Sequence, residues 1–137
     1  LLLFLAAGML AVGLHALVTV MHLSLPLFTD FDTIEAGLLL AFLIVPSMLG
    51  AHPIITISVV VPLLAPINPD PQLLAVTLLF GWGLGTCAGP MSGTHLVMQG
   101  RYGISSLKGA MRNWPYVALM YLVALLFLFV VSIVRRV

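Results

Sequence analysis

Polar side chains gather beside two breaks in otherwise uncharged stretches of this chain. The first break, residues 50–53, reads Gly-Ala-His-Pro, and the second, residues 89–94, reads Gly-Pro-Met-Ser-Gly-Thr. Hydroxyls and free carbonyls at such breaks can ligate a hard cation such as sodium, and free amides at helix N-termini can bind an anion. The candidate binding residues are Gly50, Ala51, His52, Pro53 and Thr56 at the first break, and Gly89, Pro90, Ser92, Gly93, Thr94 and His95 at the second, with Ser92 and Thr94 as candidate sodium ligands.

The same residues do not predict an enzyme. No Asp, Glu or Lys lies within either stretch, so a proton relay built on a carboxylate is not expected. The chain also lacks a Ser/His, Asp/Asp or metal-ligand constellation at usable spacing, and we predict no resident metal or cofactor. Structural roles compete with binding at two positions: His52 as a turn residue bonded to a backbone carbonyl, and His95 as a helix-start residue bonded across to the first break.

Composition places the chain in a membrane. Of its 137 residues, 62% are hydrophobic and 7% charged, and the mean hydropathy is +1.24, which excludes a soluble domain with a polar surface. The net charge of +1 and the absence of a basic patch argue against nucleic-acid binding. Cys87 is the only cysteine, so an intrachain disulfide is excluded. A bacterial inner membrane is the expected location.

The stretch between Glu35 and Asp70 predicts a re-entrant hairpin. Residues 36–69 carry no charge; these 34 residues are too many for one span of roughly 20 and too few for two. We therefore predict a helical hairpin over 34–65, with its tip at 50–53, where Gly frees the backbone and Pro removes a donor. Irregular backbone at membrane depth is tolerated inside protein or beside a watery cavity, so the tip indicates a binding or permeation site.

The remaining segments complete one all-α transmembrane domain over 1–137, with the hairpin and a discontinuous helix as its distinctive features. We predict a span over 1–21, a broken helix over 72–100 with its irregular stretch near the middle of the membrane, a basic interfacial connector over 101–112, and a span over 114–134. Trp114 and Tyr116 are expected to anchor the last span at the interface. Because the sequence begins inside an apolar run without an initiator Met, we interpret it as the C-terminal part of a larger transporter.

Charge predicts the orientation of these segments. The basic segment 101–112 is expected in the cytoplasm, and the acidic positions 30–35 and 70 outside. Arg135 and Arg136 then fall on the outer side, against the usual bias. The hairpin would open from the outside.

The succession of hairpin, broken helix with a Gly-Pro-x-Ser-Gly-Thr centre, basic connector and final span resembles the second, C-terminal repeat of the ion transporter superfamily. Within it, the pattern is similar to the divalent anion:sodium symporter family, with the TRAP large membrane subunit and the arsenite and short-chain acid permeases as near alternatives. Thr94 matches that family's polar position after the Pro. At the tip, however, residues 50–53 stand where the family has Ser-Asn-Thr, and His52 there favours another anion or coupling ion.

The resemblance implies a function and partners. It implies a sodium-coupled secondary transporter that moves a small anionic, carboxylate-type solute by elevator-type alternating access. It also implies a homodimer and an inverted first repeat, in the same chain or another, that completes the site. The alternative is a non-transporting integral membrane subunit of a larger complex, whose hairpin is a structural plug and whose stability depends on a protein partner rather than a solute.

Overall fold

The computed structural model of the protein describes residues 2–21 and 30–136, and within these ranges it contains helices and turns but no strand. The helices are α1 (Leu2–Val20), α2 (Thr33–Met48), α3 (Pro53–Leu64), α4 (Pro71–Ala88), α5 (Gly93–Tyr102) and α6 (Ser106–Arg136), with one 3₁₀ turn at Ala65–Ile67. The predicted all-α class is confirmed. Two stretches, Pro71–Tyr102 and Ser106–Val134, are long and apolar enough to span a membrane.

Local sequence signals explain where these helices begin. At the start of α2, Glu35 Oε2 accepts a hydrogen bond of 3.0 Å from the N–H of Asp32, as in a capping box. At the start of α4, Asp70 Oδ1 accepts from the N–H groups of Gln72 and Leu73 at 3.1 and 2.9 Å. Both α3 and α4 have Pro as their first helical residue, a position where the missing N–H leaves no helical bond unmade.

The core lies where α2, α4 and α6 pack against one another. Its fully buried apolar side chains include Leu40 and Leu43 of α2, Leu73 of α4 and Leu128 of α6. Helix α1 packs against α3, at the side of this three-helix core. The hairpin formed by α2 and α3 is therefore attached to the rest of the chain on two sides, to α4 and α6 through α2 and to α1 through α3.

Close contact between α2 and α4 depends on glycines at every fourth position of α4. A β-carbon added to Gly81 would collide with Leu43, and one added to Gly85 would lie 2.9 Å from Ser47 Oγ. At Gly89 it would lie 3.0 Å from the carbonyl oxygen of Ser47. Because residues four apart share one helix face, this spacing lets the two helices run parallel at short distance.

Helices α2 and α6 run antiparallel along most of the uncharged part of α6, residues 113–134. The N-terminal end of α2 lies beside Ser132, and Met48 at its other end lies beside Trp114. At a rise of 1.5 Å per residue, positions 114 to 132 of α6 span about 27 Å. The hairpin thus extends along nearly the whole uncharged stretch of α6.

The segment after α5 differs from the prediction of a connector over 101–112. Only residues 103–105 separate α5 from α6, and α6 is continuous from Ser106. Gly103 ends α5 in the left-handed conformation, with φ of 66°, which glycine adopts without strain. Apart from Gly109, residues 107–112 are good helix formers, and no Pro lies among them, so the helix joins the predicted span directly.

Candidate functional site

The hairpin tip and the break between α4 and α5 pack against each other. A β-carbon added to Gly50 would lie 3.7 Å from Met91 Cγ, and one added to Gly89 would lie 3.0 Å from the carbonyl oxygen of Ser47. The C-terminal ends of α2 and α4 and the N-terminal ends of α3 and α5 therefore meet in one place. The structure brings the two predicted groups of site residues together.

Within the hairpin tip, most polar groups are used by the turn itself. Gly50, with φ of 104°, donates to the carbonyl of Ser47 at 3.0 Å, and Ala51 donates to that of Pro46 at 2.9 Å. His52 Nδ1 accepts from the N–H of Ile54 at 3.3 Å. Pro53 has no N–H to offer. The α3 N-terminus is therefore capped by its own residues, which leaves it poorly suited to bind an anion.

His52 and Thr56 retain some capacity for other contacts. The His52 ring packs edge to face with Trp82 of α4, at 6.1 Å between ring centroids. With Nδ1 accepting from Ile54, the neutral ring carries its proton on Nε2 and can donate outward. Thr56 is only 9% exposed, and its hydroxyl has no hydrogen bond among the residues that the structure describes.

Other hydroxyls of the predicted region bond to their own helices. Ser47 donates to the carbonyl of Leu43 at 2.9 Å, Ser58 to that of Ile54 at 2.7 Å, and Thr86 to that of Trp82 at 2.7 Å. This local pattern satisfies the hydroxyl without any partner from outside the helix. These three side chains are therefore structural here.

At the second break, side chains from α5 and α6 satisfy the last carbonyls of α4. Asn113 Nδ2 donates to the carbonyl of Cys87 at 3.3 Å, and Trp114 Nε1 donates to that of Ala88 at 3.2 Å. The carbonyl of Gly89 lies 3.0 Å from His95 Nδ1. Helix ends leave such carbonyls without intrahelical partners. The carbonyls of Cys87, Ala88 and Gly89 thus each have a side-chain partner.

His95 is the centre of this network. It is 8% exposed, and its Nδ1 lies 2.7 Å from Ser92 Oγ while its Nε2 lies 3.3 Å from Asn113 Nδ2. The Gly89 carbonyl can only accept, so we assign the ring proton to Nδ1; Nε2 then accepts from the Asn113 amide. The expected bond from His95 to the hairpin is not made; its described partners are on the break and on α6.

Ser92 caps α5 rather than facing outward. It is 2% exposed, and its Oγ accepts from the N–H of His95 at 3.4 Å, as an N-cap residue does. The next two residues differ. Gly93 and Thr94 are exposed, and within residues 2–21 and 30–136 neither their N–H groups nor the Thr94 hydroxyl has a hydrogen-bond partner. Of the two candidate sodium ligands, Ser92 and Thr94, it is Thr94 whose hydroxyl is not used in a hydrogen bond with the described residues.

The break lies beside one end of the uncharged part of α6. Its carbonyls contact Asn113 and Trp114, which follow Arg112 at the basic end of the uncharged part of α6. The 18 residues of α4 that precede the break cover about 27 Å, close to the thickness of a hydrocarbon core of about 30 Å.

Four grooves on the described surface lie away from these residues. An apolar groove of about 370 Å³ lies between α2 and α6, another of about 300 Å³ lies between α2 and α3, and one of about 520 Å³ lies on α1. A fourth, of about 550 Å³, lies between the acidic start of α2 and the end of α6. None of the predicted site residues lines any of these four. Pro90 lies half-buried in the turn between Gly89 and Ser92.

Asn113 was missed by the sequence reasoning, and Trp114 was expected only as an interface anchor. A single amide residue directly before an apolar span was a usable signal, but its partners are 18 and 26 residues away in sequence. The glycine spacing at 81, 85 and 89, which is typical of close helix packing, was also readable from the sequence.

Comparisons of the chain with protein-family models, with curated proteins and with solved structures gave no match.

Proposed function

We propose that this chain is one half of a secondary active transporter that moves a small anionic, carboxylate-type solute across the membrane. The observation that carries the proposal is the open N-terminus of α5 beside the hairpin tip. There, the N–H groups of Gly93 and Thr94 and the Thr94 hydroxyl are unused by the described residues. A helix N-terminus favours negative charge, since its N–H groups point outward and its dipole end is positive.

The remaining features of the proposal come from the resemblance. We propose sodium as the coupling ion, elevator-type alternating access with the hairpin and broken helix moving together, and a first repeat that completes the site. A homodimer in the bacterial inner membrane is part of the same proposal. The Ser92 hydroxyl caps α5, so Thr94 and partners from the missing half are the proposed ion ligands.

The register along α6 suggests which side the site faces. If the uncharged stretch of α6 marks the hydrocarbon core, the hairpin tip and Thr94 lie near its basic end, which the positive-inside rule places in the cytoplasm. We therefore propose an inward-facing site at this end of α6, formed by the same residues, in place of a site at the middle of the membrane.

A solute-stabilisation screen of the intact protein tests the proposal. A ligand that binds the folded state raises the free energy of unfolding by RT ln(1 + [L]/Kd), about 2.7 kcal/mol at one hundred times Kd. We expect a mono- or dicarboxylate to stabilise the protein, more so with sodium present. Thr94→Val should weaken this effect. Thr86→Val is the matched control, because its hydroxyl bonds to Trp82 within α4.

The non-transporting subunit remains a second candidate, favoured by one observation. The predicted site residues line none of the four described grooves. A hairpin that serves only as a structural plug needs no groove at its tip. The screen separates the two candidates: stabilisation by a carboxylate that Thr94→Val removes contradicts the subunit, whereas stability set only by a copurifying protein contradicts the transporter.

Single-cysteine labelling tests the topology on which both candidates depend. In a Cys87→Ser background, cysteines at the exposed positions Asp30, Gln72 and Ile104 are labelled from one side with an impermeant thiol reagent. We expect 30 and 72 to label from the same side and 104 from the other. If 30 and 72 label from opposite sides, the hairpin is a crossing and the resemblance fails.

A further inference from the structure

We propose that the groove between α2 and α6 holds an acyl chain of an anionic phospholipid, whose headgroup is bound by Lys108 and Arg112. The groove has a volume of about 370 Å³, within the usual range for small-molecule sites. The inference goes beyond the proposed function, because none of the predicted solute contacts takes part. It requires that α6 lies in a membrane, but it requires neither transport nor a solute.

The walls of the groove present an apolar surface. Its two lining residues with polar tips are Trp114 and Tyr121, and both use those tips elsewhere. Trp114 Nε1 donates to the Ala88 carbonyl, and the Tyr121 hydroxyl donates to the Gly37 carbonyl. The other lining residues are Ala, Val, Ile, Leu and Met. A polar solute would lose its hydrogen bonds to water in such a groove, whereas an alkyl chain has none to lose.

The groove follows the path that a lipid chain takes into the membrane. On α6 it extends from Trp114 to Leu122, which is about 12 Å along the helix axis. Trp114 stands at the basic end of the uncharged stretch 113–134, and Leu122 stands near its centre. Small side chains open the groove on both walls, Ala41 on α2 and Ala118 on α6. A chain in this groove therefore begins at the interface and ends in the hydrocarbon.

Two cations stand at the interfacial end of the groove. Lys108 and Arg112 are exposed and precede Trp114 by about 9 and 3 Å along the axis of α6. Lys108 and Leu122 are 14 residues apart, close to four helical turns, so they lie on the same face of the helix. A phosphate at the mouth of the groove is thus within reach of both side chains.

The charges of Lys108 and Arg112 are not used within the described part of the chain. Neither side chain has an acidic partner in residues 2–21 and 30–136. The four acidic residues lie at the other end of the helices, at or before the start of α2 and before α4: Asp30, Asp32, Glu35 and Asp70. Basic residues at a membrane surface attract anionic headgroups, so charge favours an anionic lipid over a zwitterionic one.

The same charges disfavour a second copy of the chain as the occupant. Two copies inserted with the same orientation bring their basic ends to the same depth in the membrane. Contact across this face would then place cations against cations, and like charges across an interface are unfavourable. An anionic phospholipid supplies the opposite charge and the apolar chain in one molecule.

Quenching of Trp114 fluorescence by brominated acyl chains identifies the occupant. The chain has two tryptophans, and Trp82→Phe leaves Trp114 as its reporter. The intact protein is reconstituted in bilayers of phosphatidylglycerol and phosphatidylcholine with identical chains. Bromine is placed on one lipid and then on the other, so the ratio of the two quenching efficiencies gives the preference for the anionic headgroup.

We expect Trp114 to select phosphatidylglycerol by about fivefold, the effect of about one basic residue at a membrane surface. The double variant Lys108→Gln/Arg112→Gln should bring the ratio close to one, and high salt should lower it. Ala118→Leu fills the groove and should reduce quenching by brominated phosphatidylglycerol. Ala16→Leu is the matched control, since Ala16 is an exposed alanine of α1 that lines none of the four grooves.

Three results would overturn the proposal. They are equal quenching by the two lipids, a preference that survives removal of both cations, and no quenching by either lipid, which would place a protein in the groove. Native mass spectra of the unsubstituted protein give a reading that depends on no variant: phosphatidylglycerol should be retained over phosphatidylcholine, and equal retention also contradicts the site. Failure of every carboxylate to stabilise the protein would reject the proposed function and leave the lipid site standing, and the reverse holds equally.

Discussion

Ser47 on α2 and Gly85 on α4 approach so closely that a β-carbon added to Gly85 would lie 2.9 Å from Ser47 Oγ. The same added atom would lie 3.0 Å from Pro53 Cγ at the start of α3. Gly85 is therefore the position at which α4 supports the tip of the hairpin. Ser47 cannot turn away freely, because its hydroxyl bonds to the Leu43 carbonyl in the buried interface.

We predict that Gly85→Ala destabilises the protein by about 1 to 3 kcal/mol, the usual effect of inserting a methyl group into a well-packed core. The measurement is thermal or denaturant unfolding in detergent. Gly83→Ala is the matched control, since no atom lies within 4 Å of its added β-carbon and alanine favours a helix. Equal stability of the two variants would show that α2 and α4 do not meet at Gly85.

Tyr121→Phe tests the antiparallel register of α2 and α6. The Tyr121 hydroxyl donates to the Gly37 carbonyl at 3.1 Å, and its loss should lower the free energy of unfolding by about 0.5 to 1.5 kcal/mol. Tyr116→Phe, on the same helix, should have no measurable effect, because that side chain is exposed and its hydroxyl has no partner in the described part of the chain. Should Tyr116→Phe prove the more damaging change, the register would be wrong.

Asp70→Ala tests the cap that starts α4. Asp70 Oδ1 accepts from two backbone N–H groups, and removal of a capping side chain typically lowers stability by about 1 kcal/mol. Asp70→Asn keeps the accepting oxygen and should retain most of the stability. If the Asn variant loses as much as the Ala variant, the contribution of Asp70 depends on its charge and the capping explanation fails.

The helix boundaries were predictable to the extent that they depend on local chemistry. Pro53 and Pro71 begin helices, and Gly89 and Pro90 interrupt one, because the conformational limits of Pro and Gly act within a few residues. The all-α class of the chain followed from its apolar composition. No helix boundary lies before the last span, since residues 106–112 continue into it as α6 and most of them favour a helix.

The candidate site was predictable as a group of residues but not as a set of roles. Thr94 and Ser92 are two positions apart in sequence, yet one is exposed and the other caps α5. Which of them is available depends on His95, and the position of that ring depends on Asn113 of α6. Such partners come from helix packing over long sequence separations, which neither periodicity nor spacing in one segment specifies.

The last prediction concerns how deep the hairpin tip lies. A hairpin reaching the middle of the membrane and one extending along α6 to Trp114 place Leu49 about 15 Å apart in depth, given ten residues of α6 at 1.5 Å each. Spin labels are attached to cysteines at three exposed positions, Leu49, Tyr116 and Val123, in the intact Cys87→Ser protein in lipid. Relaxation by oxygen and by a water-soluble nickel complex then reports depth.

We expect the Leu49 label to match the Tyr116 label, which marks the basic end of the uncharged stretch, and to differ from the Val123 label near its centre. That result would place the α5 N-terminus within reach of the cytoplasmic interface and support the inward-facing form of the proposed site. A Leu49 label as deep as the Val123 label would instead return the break to the middle of the membrane, because the tip and the break are packed together and must lie at the same depth.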